Sequence, residues 1–202
     1  DDTQRPERLG WGADGWGTAQ EAMYNLWMPR VYAKWIADFC DQQDELGMVG
    51  MIAPQAGAEE DLVWTAAFVL VPWWQYVHYG DRRILEDSYP SLQRYMAYLE
   101  ATGLKAVAPA SSDEVLQALL WRSGREHRFP AEEDRGCLQI SQWGDHLATA
   151  EGYVVRANTP LSMATAFYYH DVRTMAKVAA ALGKFIGAGY ETRSEAEKVA
   201  SR

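Results

Sequence analysis

Successive stretches of apolar residues at helical spacing, parted by breaks of only a few residues, constrain the fold of this chain more than any other feature. From Thr18 to Asp44 the residues Ala22, Leu26, Val31, Trp35, Ile36 and Phe39 keep that spacing. Pro29 interrupts it, which predicts two helical pieces or one kinked helix. Gly47 to Gly57 reads as a loop, after which Glu59, Glu60 and Asp61 open a helix with acids at its positive end. That helix is expected to run to Tyr79, with Gly80 as its C-cap. Asp81 then suits the N-cap of a short helix, Arg82 to Asp87, and Pro90 the start of another. Leu92, Tyr95, Met96 and Leu99 form one face of that last helix, which Gly103 ends.

Residues 104–158 are polar, glycine-containing and aperiodic, apart from a brief helix from Ser112 to Trp121. They read as a long loop insertion, of a length that usually carries function or mobility. Thr159 and Pro160 then start a long helix that reaches Leu182, with Gly183 beyond it, and Glu191 to Ala200 is helical in its charge pattern. Only Cys137 to Ile140 and Gly152 to Val155 could pair as short strands. The pattern therefore predicts an all-α protein of helical hairpins, antiparallel because the connections are short. At 202 residues it is expected to form a single domain, 1–202.

Charge excludes several partners. The formal net charge is −9, and no basic run is longer than the pair Arg82 and Arg83, so nucleic acid is not expected as a partner. The longest apolar candidate, Leu62 to Trp74, carries Thr65 and Pro72 and is too short to span a bilayer. Cys40 and Cys137 have neither metal-ligand nor redox-pair spacing and read as buried free thiols. His78, His127 and His146 show no ligand spacing, so no metal is proposed. Nine Trp and eleven Tyr against five Phe favour rings with a polar edge, suited to surfaces where stacking meets hydrogen bonding. Trp35, Trp73 and Trp74 nevertheless sit on apolar helix faces and are assigned to the core, as is His170, read as a buried hydrogen-bonded histidine.

The opening residues carry a motif. Asp1-Asp2-Thr3-Gln4-Arg5-Pro6-Glu7-Arg8-Leu9-Gly10-Trp11-Gly12-Ala13-Asp14 resembles the signature loop of glycoside hydrolase family 78, the α-L-rhamnosidases. That loop usually reads Asp-Cys-Pro-x-Arg-x-Glu-Arg-x-Gly-Trp-x-Gly-Asp, and Asp1, Arg5, Glu7, Arg8, Gly10, Trp11 and Asp14 agree with it. The likeness continues through Tyr24-Asn25, Lys34-Trp35, Val71-Pro72-Trp73 and Tyr79 to Glu86, then resumes at Gly144-Asp145 and from Thr159 to Gly183. There are departures. Asp2-Thr3 replace Cys-Pro, Ala13 replaces a glycine, Trp64-Thr65-Ala66-Ala67 stands for Trp-Gly-Asp-Ala, and His146 stands for a tryptophan.

The resemblance implies an (α/α)6 barrel, of which this chain would hold roughly the first half. Six hairpins need on the order of twelve helices of roughly 11–12 residues, against about six or seven read here. It also implies inverting hydrolysis of terminal α-L-rhamnosides. One carboxylic acid protonates the leaving oxygen while a carboxylate about 6.5–9.5 Å away activates water on the opposite face. By the match Glu7 is the general acid. Asp1, Arg5, Trp11 and Asp14 hold the rhamnose, and Trp64 is a second ring of the same pocket. Burial against Trp11 would keep Glu7 protonated, whereas Arg5 or Arg8 nearby would oppose it. The general base falls in the later half of the barrel and has no counterpart here. Glu132, Glu133, Asp134 and Glu151 read as a solvated acidic patch.

No cofactor is needed for such hydrolysis, and Gly10-Trp11-Gly12 lacks the further glycine and the preceding strand of a dinucleotide site. The expected partner is a carbohydrate or glycoside. The alternative function is a non-catalytic carbohydrate-binding or degenerate relative that keeps the acid loop without the base. The chain opens at Asp1 without Met or apolar leader, which predicts processing or a longer parent. Half a barrel would expose inner helix faces, to be covered by the missing half or by a second copy.

Overall fold

The computed structural model describes residues 8–55, 60–101 and 160–184. They form six helices: α1 (Gly12–Asn25), α2 (Pro29–Gln42), α3 (Leu62–Thr65), α4 (Ala67–Tyr79), α5 (Arg83–Leu99) and α6 (Pro160–Ala181). The one departure from helix pairing among them is an isolated antiparallel bridge between Trp11 and Ile52. The long insertion at 104–158, with its short helix and possible strands, lies outside the described residues, as do Cys137 and the helix at 191–200.

The core is organised around α4. Its N-terminal half, Ala67 to Pro72, is buried on every side, which explains why the segment is apolar throughout instead of striped. It packs against α1, α2, α5 and α6. Phe68 stacks on Phe39 of α2 at 5.6 Å and meets Tyr95 of α5 edge-on at 5.8 Å, so three helices share one aromatic seam. Gly80, in the left-handed conformation at φ 69°, ends α4 as a C-cap. Gly183 takes the same conformation just beyond α6.

Three helix boundaries differ from the sequence expectation, the first being that the single helix expected to run to Tyr79 is broken at Ala66 into α3 and α4. α1 begins at Gly12, not Thr18, because its first turns carry Gly12, Gly15 and Gly17, whose low helix propensity hides the start. The helices expected at 82–87 and from Pro90 onward are one, α5. Pro90 faces solvent, where the carbonyl it leaves without an amide donor can turn to water. The Asp81 carboxylate accepts from the Arg83 amide at 3.0 Å and fixes the start of α5.

The junction of α1 and α2 is fastened by a side chain from α4. The Tyr79 hydroxyl donates to the carbonyls of Met23 and Leu26, both at 3.1 Å, and accepts from the Met28 amide at 3.4 Å. No described helix is long and apolar enough to cross a membrane. Cys40 is a half-buried free thiol, and burial pushes its pKa up. His170 is exposed; the buried group on that turn of α6 is its neighbour, Asp171.

Candidate functional site

The start of α1 is held against two other segments by its backbone. Gly12 donates its amide to the Met51 carbonyl at 2.8 Å, and Ala53 donates to the Gly10 carbonyl at 3.0 Å, so residues 10–12 and 51–53 pair antiparallel. A Cβ on Gly10 would fall 2.0 Å from the Ala53 oxygen, and one on Gly12 would fall 2.1 Å from the Trp64 oxygen. No side chain fits at either position. Gly10 of the motif and Gly12 at its variable position are therefore both required by close backbone approach.

That approach brings Trp11 and Trp64 into one apolar cluster with Met51, Ile52 and Val63. Trp11 is the N-cap residue of α1 and remains partly exposed. Trp64 sits in α3, whose start is capped by Asp61: its buried carboxylate accepts from the Val63 amide at 3.0 Å. Trp64 is 8% exposed, so nearly all of its surface is packed. Trp16 donates its indole N–H to the Val63 carbonyl at 2.7 Å and packs on Phe167 of α6 at 5.5 Å, closing the cluster from behind. Met163 adds to the same wall.

Asp14 lies in the first turn of α1, three residues after Trp11, and is exposed. Its carboxylate has no hydrogen bond or ion pair among the described residues. The positive end of α1 alone would favour an acid there, by about 0.3–1 kcal/mol. Arg8 turns the chain just before this point with φ 49°, the left-handed region, which costs a non-glycine residue roughly 1–2 kcal/mol. Asp1, Arg5 and Glu7 lie outside the described residues. Of the sequence-predicted site residues, the structure thus gathers Trp11 and Trp64 and sets Asp14 on the same helix start.

Behind Trp64 is a buried polar group that periodicity assigns only to a helix end and an apolar face. Thr65 Oγ1 stands 2.5 Å from the Tyr95 hydroxyl and donates to the Asp61 carbonyl at 3.0 Å. Tyr98 donates to Glu60 Oε2 at 2.5 Å. Asp171 of α6 is fully buried, and neither carboxylate oxygen has a hydrogen-bond partner among the described residues. Burial drives its pKa well above the ordinary 3.8. Burial, with Glu60 and Asp171 adding their charge, likewise drives the Tyr95 hydroxyl well above its usual range. A usable sequence signal was present: two tyrosines three apart on the inner face of α5, each needing a polar partner once buried. Among the described residues no group of His, Cys, Asp and Glu is arranged to hold a metal ion.

Comparisons with known proteins agree with this architecture. The model of the bacterial α-L-rhamnosidase six-hairpin glycosidase domain matches residues 1–200. An α-L-rhamnosidase of Streptomyces avermitilis is 38% identical over 112 residues, covering 54% of this chain and 11% of that protein. One from Alteromonas sp. is 36% identical over 103 residues, 47% of this chain and 10% of that protein. The chain spans about a tenth of the length of these curated relatives. The crystal structure of the Streptomyces avermitilis α-L-rhamnosidase complexed with L-rhamnose superposes with a TM-score of 0.61 at 26% identity, over 96% of this chain and 15% of that one. The α-L-rhamnosidase of Dictyoglumus thermophilum shares the fold, with a TM-score of 0.57 at 24% identity over 98% of this chain and 18% of that one. Glycine-tight pairing at the start of α1, helical hairpins around α4 and a family match along almost the whole length lead to one assignment: the chain belongs to the bacterial α-L-rhamnosidase six-hairpin glycosidase family, and its helices are part of an (α/α)6 barrel.

Proposed function

We propose that this chain is the acid-bearing portion of an α-L-rhamnosidase that removes terminal α-L-rhamnose from glycosides with inversion. Glu7 is the general acid, and Asp1, Arg5, Trp11, Asp14 and Trp64 form the sugar subsite. The observation that carries this reading is the contact of Gly12 with Trp64. It joins two rings far apart in sequence at one helix start, next to an exposed acid and directly after the strained Arg8. Backbone strain of this kind is retained where the surrounding structure over-determines it, and it concentrates at working sites.

In this mechanism the Trp11 ring covers the apolar side of the rhamnose while Asp14 and Asp1 accept from its hydroxyls. Arg5 donates to the sugar, and Glu7 gives its proton to the glycosidic oxygen as the bond to the anomeric carbon breaks. Water activated by a carboxylate elsewhere in the complete protein attacks from the opposite face. Glu7→Gln in the complete protein tests the assignment. Turnover of an alkyl rhamnoside, whose leaving group needs the proton, should fall about 10²–10⁴-fold with an unchanged melting temperature. Wild-type turnover removes Glu7 from the role, and a first-formed product of retained configuration removes the inversion.

One observation favours a second reading, a relative that binds carbohydrate without hydrolysing it. Ala66, at the place of the acid in the resembled Trp-Gly-Asp-Ala motif, is fully buried in the turn between α3 and α4. The lost carboxylate therefore has no substitute from that position. Sugar binding by the complete protein with no rhamnose released would decide for this reading.

A further inference from the structure

The helix that carries Trp64 is a single turn, Leu62–Thr65, and a turn of that length has no stability of its own in water. Its place, and with it the place of the Trp64 ring, is set by the elements that grip it. From α1 come the Trp16 indole, which donates to the Val63 carbonyl at 2.7 Å, and Gly12, whose lack of a side chain lets the Trp64 carbonyl approach. From α5 comes Tyr95.

The sense of the α5 contact follows from its protons. The Thr65 hydroxyl has one hydrogen, and it donates to the Asp61 carbonyl at 3.0 Å, an atom that can only accept. The Tyr95 phenol, 2.5 Å from Thr65 Oγ1, is therefore the donor of that pair. Hydrogen bonds thus run one way from Tyr95 through Thr65 to Asp61, whose carboxylate caps the same turn at the Val63 amide. Each bond in such a chain polarises the next. Tyr95 is fully buried, and Phe68 meets its ring edge-on at 5.8 Å, so the donor is held at a fixed point and cannot itself reach a ligand.

We propose that Tyr95 is a positioning residue of the sugar subsite, acting through Thr65 to hold Trp64 in place beside Trp11. The proposal rests on the reading of Trp64 as a ring of that subsite. With only 8% of its surface open, Trp64 has little area to offer a ligand, so a small displacement of its turn changes a large share of that area. Withdrawing the phenol donor releases the α5 side of the turn while the Trp16 and Gly12 contacts of α1 remain. The turn is then free to shift, and the ring with it.

Calorimetric titration of the complete protein with L-rhamnose tests this. Tyr95→Phe keeps the packed ring and removes the donor, and should raise the Kd about threefold to tenfold. Thr65→Val, which lacks the hydroxyl, should do the same, whereas Thr65→Ser, which keeps it, should bind as the wild type does. The double variant Tyr95→Phe with Thr65→Val should be no weaker than either alone, because both remove one interaction. A merely structural role would lower the fraction of protein that binds and leave the Kd unchanged; that result overturns the proposal, as does a serine variant as weak as the valine one. Trp64→Leu, which keeps apolar bulk without an aromatic face, separates the proposal from the reading beneath it. A raised Kd for Trp64→Leu beside a wild-type Kd for Tyr95→Phe overturns the positioning role alone, and a wild-type Kd for Trp64→Leu overturns both.

Discussion

Thr65 and Tyr95 place their hydroxyls 2.5 Å apart inside the fold, joining the segment that carries Trp64 to the inner face of α5. The same face holds Tyr98, which donates to Glu60, so both acids of the Glu60-Asp61 pair are buried as structural groups: one accepts from a tyrosine, the other caps α3. The ring cluster at the candidate site is therefore backed by a polar layer beside the apolar wall of Trp16, Met163 and Phe167.

Removal of one member of that layer should be costly. Tyr98→Phe keeps the ring but withdraws a hydroxyl donor from a buried carboxylate, and hydrogen bonds to charged groups contribute about 1.5–3 kcal/mol. Urea unfolding should show a loss of that size. A loss below about 0.5 kcal/mol would mean that Glu60 does not depend on Tyr98.

The glycines of α1 should respond in opposite directions to the same substitution. Gly12→Ala forces a methyl group onto the Trp64 carbonyl, a backbone atom that cannot swing aside, and should destabilise by about 2 kcal/mol or more. Gly17 has nothing within 4 Å of the position of a Cβ and lies on the exposed face of the helix. Gly17→Ala should stabilise by about 0.5–1 kcal/mol. Thermal melts of the two variants check both signs.

Asp171 sets a pH dependence. Its folded-state pKa is raised above 3.8 by burial, so the native state holds the proton more tightly than the unfolded chain. Its contribution is fully present below the unfolded pKa and is lost as pH rises from there through the folded value. Asp171→Asn, neutral at every pH, should remove this downward slope and make the protein relatively more stable near neutrality. An identical slope in the variant, measured by denaturant midpoints between about pH 4 and 7, would contradict it.

Much of the hairpin arrangement was legible because its punctuation is chemical: Pro29 as a break between helical pieces, Gly80 and Gly183 at helix ends, acids before the helix that opens near residue 62. The break at Ala66 and two further boundaries were not. The first turns of α1 carry Gly12 against the Trp64 backbone and Gly15 against the Trp35 ring, and Pro90 is tolerated because it faces water; neither reason is visible until a neighbour is in place. The resemblance named Trp11 and Trp64 as two rings of one pocket, and they do share one cluster, whereas the burial of Glu60 and Asp171 was not legible. The partner of Glu60, Tyr98, lies 38 residues away, and nothing in the residues around Asp171 marks it as the buried member of its turn of α6.

The Tyr79 fastening has a consequence for the order of assembly. α1 and α2 follow each other directly, and a junction of this kind would ordinarily be a local event that closes early. Here it is secured by a phenol that arrives more than fifty residues later, so the two helices can form at once while their mutual angle waits for α4. Slower folding of Tyr79→Phe, with its unfolding rate nearly unchanged, would place this late fastening in the rate-limiting step.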